Sequence, residues 1–148
     1  MSRRKGRIIA FQALYSWDVS KSSLDDLLTF SWLQKDSELQ AEVDPAESAK
    51  EERTFASLLI SGTISHRDEI DKRIENHLSS AWSMDRISRV ALAILRTSVY
   101  EIVFQNGAEP RIIIDEAVNI AKDYDSDDSY KFINAVLDKI GKDEEKKS

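Results

Sequence analysis

The chain contains no cysteine. That single absence removes disulfides, thiolate zinc sites and cysteine nucleophiles. It also fits a reducing compartment. Glycine occurs four times and proline twice in 148 residues. So few breakers favour long helices over tight turns. Long apolar runs are missing as well. The most apolar stretch, Val90 to Phe104, is interrupted by Arg96 and Glu101, so no segment has the length and apolarity to span a bilayer. The basic start followed by Ile8 to Leu14 faintly imitates a signal peptide. Gln12 interrupts it, Trp17-Asp18 ends it, and no small-x-small cleavage site follows. A cytoplasmic chain is expected.

The motifs of common catalysts are missing too. There is no P-loop, no G-x-G-x-x-G and no G-x-S-x-G. The two histidines, His66 and His77, stand eleven apart, which lacks the one-turn spacing of a helical ligand pair. They read as packing or exposed side chains. Acid pairs such as Asp25-Asp26 and Asp127-Asp128 read as helix caps, and Glu51-Glu52 as a solvated face. Neither an enzyme nor a cofactor site is expected.

What the chain does have is a polarised charge. Four cations, Arg3, Arg4, Lys5 and Arg7, fall in the first seven residues, while the whole chain carries −6. Such a body repels polyanions over most of its surface and attracts them at one end. The cations run straight into a helical pattern over 4–19. Ile8, Phe11 and Tyr15 form one stripe, and Ala10, Leu14 and Trp17 a second beside it. Arg3, Arg4 and Arg7 are spaced to share a helix face, where arginines grip phosphates. An acidic protein partner would satisfy the same cations.

An all-α chain of six or seven helices follows from the remaining periodicity. Ser23 with Asp26 resembles a capping box before Leu24, Leu27 and Leu28, with Phe30 and Trp32 off that face. Residues 34–50 are polar and acidic and read as a loop broken at Pro45. One helical pattern then runs to Leu78, with Gly62 marking a close contact or bend. Ser79-Ser80 is the expected boundary between halves 1–80 and 81–148. Ser83 or Asp85 caps a helix that ends by Asn106-Gly107. Arg96 within it calls for an ion pair to Glu101, Asp115 or Glu116, or for an RNA or partner contact. Ile112 to Ile114 lead into a helix whose first turn holds Asp115-Glu116. In the last helix Tyr130, Ile133, Val136, Leu137 and Ile140 share a face, and a charged tail from Lys142 frays. Phe132 points about 100° off that core face beside Lys131. It is either a stacking platform for an unpaired base or a packing residue.

Three segments in order resemble the NusB family of bacterial transcription factors. They are SRRKGRIIAFQALYSWD (2–18), ILRTSVYEI (94–102) and IDEAVNIAKDYDSDDSYKFINAVLDKI (114–140). The resemblance implies two small packed helical subdomains and no enzymatic activity. It implies binding of single-stranded boxA RNA together with the ribosomal protein NusE, within an antitermination complex on RNA polymerase that serves ribosomal RNA transcription. A homodimer hiding the RNA face is possible within such a fold. By motif, Arg3, Arg4 and Arg7 match the RNA-binding start, Asp128, Lys131 and Phe132 the C-terminal RNA contacts, and Tyr15 the tyrosine facing NusE. Three departures stand out. Asp125 and Ala135 replace glycines common in the family, and Ala91 replaces an acid that contacts NusE.

Overall fold

The computed structural model describes residues 3–33, 45–79, 83–126 and 128–147. Among them lie seven α-helices and no strand: α1 (Arg3–Val19), α2 (Leu24–Thr29), α3 (Pro45–Ser65), α4 (Arg67–Asn76), α5 (Arg89–Tyr100), α6 (Pro110–Tyr124) and α7 (Ser129–Lys147). None of these helices is long and apolar enough to cross a membrane.

Helix α5 is the axle. Every residue from Ala91 to Val99 is buried, as expected for a helix enclosed on all sides. Its neighbours are α1, α3, α4, α6 and α7. Helix α1 packs on α3 and on α5 and buries Ile8, Ala10, Phe11 and Leu14 of its two stripes, while Tyr15, expected in the first stripe, stays exposed. Gly6 permits the first of these contacts, since a Cβ there would meet Phe55 Cδ2 at 2.6 Å and the Glu52 carbonyl at 3.2 Å. One contiguous core therefore joins the start of the chain to its C-terminal half.

The Ser23 cap is present, with Oγ accepting from the Asp26 amide at 3.1 Å. Phe30, expected off the apolar face, is instead buried. It takes a left-handed backbone (φ 58°) that turns its ring inward, and Trp32 Nε1 donates to the Leu27 carbonyl. Of the expected loop 34–50, residues 34–44 lie outside the described residues, as does Ser80 of the expected boundary. Pro45 opens α3, a position where its missing N–H costs nothing.

The single helix expected up to Leu78 is two helices, divided at His66. The His66 ring packs on Phe104 at 4.2 Å, and its Nδ1 lies 3.0 Å from the Gly62 carbonyl. Gly62 itself faces Tyr100, whose ring fills the space a Cβ would need. Helix α5 is capped by Ser88, not Ser83 or Asp85. Its Oγ accepts from the Ala91 amide at 3.0 Å, and Met84–Arg86 forms a separate 3-10 turn ahead of it. Beyond Tyr100 the helix widens into a π-helical turn, Glu101–Gln105, closed by Asn106 in the left-handed region (φ 53°).

Helix α6 starts earlier than expected. Pro110 presets the first turn, so Ile112 to Ile114 are already helical and the first turn holds no acid. Helix α7 buries Ile133, Val136, Leu137 and Ile140 and runs on to Lys147. The expected fraying from Lys142 is countered by bonds to its neighbours. His77 Nε2 and Asp143 are 2.7 Å apart, Arg73 meets Glu144 at 3.5 Å, and Lys142 pairs with Asp138.

Arg96 makes an intramolecular pair, with a different partner from those expected. Its Nε and Nη2 donate to Asp71 at 2.9 Å each, with Asp18 at 3.8 Å. Glu101 is taken by Arg7 instead.

Candidate nucleic-acid interface

The two ends of the chain meet along α1 and α6. Phe11 of α1 packs edge-on against Tyr124 at the end of α6, with ring centroids 5.3 Å apart. Two turns back along α1, Arg4 Nη2 donates to Asp123 at 2.8 Å. Asp128 stands just before α7, and Lys131 and Phe132 lie in its first turn. The basic start and the α6 part of the C-terminal motif are thus neighbours, although more than a hundred residues separate them in sequence.

The three arginines do not share one task. Arg3 is exposed and stacks its guanidinium over the Phe55 ring, 4.5 Å from the centroid. Arg4 turns the other way, toward Asp123 and, at 3.7 Å, Glu116 of α6. Arg7 is buried. Its Nε and Nη2 donate to the two oxygens of Glu101 at 2.8 and 2.6 Å, and it also borders Phe55. Burial pulls the Arg7 guanidinium down, but the hydrogen bond and attraction to Glu101, helped by Glu116, leave it net above its ordinary value. Its positive charge is therefore permanent, and it is committed inside the fold.

Around the start of α7 the cations are open. Lys131 is exposed, 3.6 Å from the equally exposed Asp128. Lys122 and Lys131 both approach the Tyr130 ring, at 4.8 and 5.9 Å. Phe132 fits both sequence readings at once. It packs in part against the core, and it also lines a groove of about 500 Å³ with Ser88, Ala91, Asp128 and Ser129. A half-buried ring at the wall of an open groove can accept the face of a base without itself having to move. Ala91, only 2% exposed, forms part of the opposite wall.

The Asp125 departure has a plain structural explanation. Its backbone is extended (φ −126°, ψ 178°), which any residue adopts. Its carboxylate accepts from Ser88 Oγ at 2.8 Å, linking the α6–α7 turn to the cap of α5. Ala135 is an exposed helical position where alanine is favoured over glycine.

Tyr15 lies on the outer side of α1, 37% exposed, with Val19 one turn on at 46%. Beside them Asp18 accepts from Arg89 at 3.1 Å, tying the end of α1 to the start of α5. An exposed tyrosine and valine on a firmly anchored helix suit a protein contact.

Sequence reasoning missed Phe55, Glu101, Glu116 and Asp123. The first two were detectable in part. Arg7 falls at helical spacing with Phe11 and Leu14, on a stripe that must be buried, so it required an internal acid. Nothing in the spacing of Asp123 identified it as a partner for Arg4.

The sequence profile of the NusB family matches residues 4–142. The transcription antitermination protein NusB of Treponema denticola is 49% identical over 140 residues, covering 95% of this chain and 96% of its own. That of Borreliella burgdorferi is 41% identical over 140 residues, covering 94% and 93%. Among solved structures, T. maritima NusB superimposes with a TM-score of 0.78 at 30% identity, covering 96% of this chain and 92% of that one. A complex of antitermination factors NusB and NusE with dsRNA gives 0.69 at 29% identity, covering 95% and 96%. Matched nearly end to end in sequence and in fold, the chain belongs to the NusB family.

Proposed function

We propose that this protein is an RNA-binding transcription antitermination factor. In this reading it takes up single-stranded boxA-type RNA jointly with NusE, as part of an antitermination complex on RNA polymerase that supports ribosomal RNA transcription. It works in the cytoplasm, by binding rather than catalysis, and without a cofactor. The observation that carries the reading is the contact of Arg4 at the start of α1 with Asp123 near the end of α6, the helix that leads to the Phe132-lined groove, over an otherwise acidic body. Halves 1–80 and 81–148 each supply one arm of the grip.

The roles divide by chemistry. Arg3 and Arg4 neutralise phosphates, which fixes the strand without reading it. Lys131 adds a third cation. Phe132 stacks a base, and Asp128 accepts from exocyclic base amines at the groove edge. Arg7, which the family motif would count among the RNA contacts, acts here as a positioning residue. Locked to Glu101, it fixes the first two turns of α1 so that Arg3 and Arg4 project correctly. Tyr15 meets NusE. A partner that lengthens the RNA surface raises affinity by joining two contact sets on one strand.

The test is titration of labelled boxA-like RNA against a scrambled control, with and without NusE, at two salt concentrations. Selective binding that tightens with NusE is expected. Phe132→Ala should lose about 1–3 kcal/mol, roughly 5- to 150-fold, with its helical signal intact. Equal, feeble binding of both RNAs, unchanged by NusE, would leave a helical protein-interaction module instead. Sedimentation at working concentration tells whether a homodimer competes for the same face.

A further inference from the structure

Asp123 occupies the hydrogen-bonding end of the Arg4 side chain. Its Oδ2 accepts from Arg4 Nη2 at 2.8 Å, and Glu116 Oε2 lies 3.7 Å from Arg4 Nη1. The two acids are seven apart on α6, two turns along one face, and both are directed at the same guanidinium. A carboxylate and a phosphate make the same demand on that planar fork, a pair of oxygens facing its N–H groups.

Two arginine–acid pairs on α1 contrast sharply. The Arg7–Glu101 pair is closed to water, with side chains 10% and 3% exposed. The Arg4–Asp123 pair is open, at 39% and 59%. An open pair is weak and exchangeable, because solvent screens it and long side chains lose entropy in holding it. Arg4 is therefore occupied but available.

We propose that Asp123, backed by Glu116, holds Arg4 in the free protein as an internal substitute for phosphate, and that RNA binds by displacing it. The proposal rests on the RNA-binding role given above. Any RNA then gains the Arg4 contact only after removing a carboxylate. Base contacts at Phe132 supply the surplus that scrambled RNA lacks. Since phosphate contacts carry no base information, the substitute lowers affinity for all sequences alike and keeps non-cognate RNA below a useful threshold.

The experiment compares wild type, D123N, R4A and R4A/D123N, each titrated with boxA-like and scrambled RNA at two or more salt concentrations. D123N should tighten both RNAs by about two- to fivefold. Its salt slope should stay close to that of wild type, because Arg4 reaches the same phosphate in both complexes, whereas R4A should flatten the slope by about 0.7, one single-strand phosphate. R4A should weaken both, and adding D123N to R4A should return nothing. Wild-type-like or weaker binding by D123N overturns the proposal. So does a gain that survives in full in the R4A background, which would make Asp123 merely one negative charge among many. If the wild-type protein binds neither RNA, the RNA-binding role itself falls and the proposal with it. If wild type binds through Arg4 and D123N changes nothing, only the proposal falls.

Discussion

Replacing Glu101 by glutamine removes one charge from a pair that water scarcely reaches. Arg7 and Glu101 are 10% and 3% exposed in their side chains and share two hydrogen bonds of 2.8 and 2.6 Å. Glutamine keeps the shape and one acceptor but leaves the guanidinium buried without its counter-charge. Breaking such a pair from one side costs about 3–5 kcal/mol. The retained acceptor places E101Q near the lower end, about 3 kcal/mol. For a chain of this size each kcal/mol lowers the melting temperature by roughly 2–4 °C, so a fall of roughly 6–12 °C is expected. Urea titration and thermal melting, followed by circular dichroism, measure it. The double variant R7M/E101M removes both charges and both desolvation penalties, and should recover to within about 1–2 kcal/mol of wild type. The raised Arg7 value fixes the pH behaviour of its side of the pair. That contribution is fully present below the unfolded arginine range and is lost only as pH rises through the higher folded value, so Arg7 itself adds no slope between pH 6 and 9. A loss under about 1 kcal/mol in E101Q, or a double variant no more stable than the single, would refute the reasoning.

Other positions give sharper local tests. Gly62→Ala pushes a methyl group into the Tyr100 ring and should destabilise by about 1–3 kcal/mol in the same urea titration. Ser88→Ala removes the α5 cap and the donor to Asp125, and should cost about 1–2 kcal/mol. Tyr15→Ala should leave melting within about 0.5 kcal/mol of wild type, as expected for an exposed side chain. The same variant should weaken NusE binding by about 2 kcal/mol in calorimetry, and unchanged NusE affinity would remove Tyr15 from that interface.

Periodicity alone conveyed the helical class, the α1 stripes, the Ser23 cap and the core face of α7, because each depends on neighbours within a turn or two. It failed where distant residues decide the matter. The break at His66 is set by Phe104 and Tyr100, and the start of α6 by Pro110 reinforced through packing. Arg96 was read as pairing with Glu101, Asp115 or Glu116, or as an outside contact, and its partner Asp71, on a helix packed alongside, was not among the acids that spacing offered. The candidate interface shows the same division. Arg3, Arg4, Lys131 and Phe132 were visible as residue types in a pattern. That Arg7 faces inward while Arg4 faces an acidic pair depends on which helix lies beside α1, which no local pattern encodes.

The Arg7–Glu101 pair has a consequence for synthesis. Its members are 94 residues apart, and Arg4 and Asp123 are 119 apart. At ribosomal speeds of 5–20 residues per second, Arg7 is translated roughly 5–20 s before Glu101. Throughout that interval Arg7 and Arg4 lack Glu101 and Asp123, while polyanionic RNA surrounds the nascent chain. The element that begins the protein is among the last to be completed, and its Arg7 and Arg4 pairs close only when Glu101 and α6 arrive.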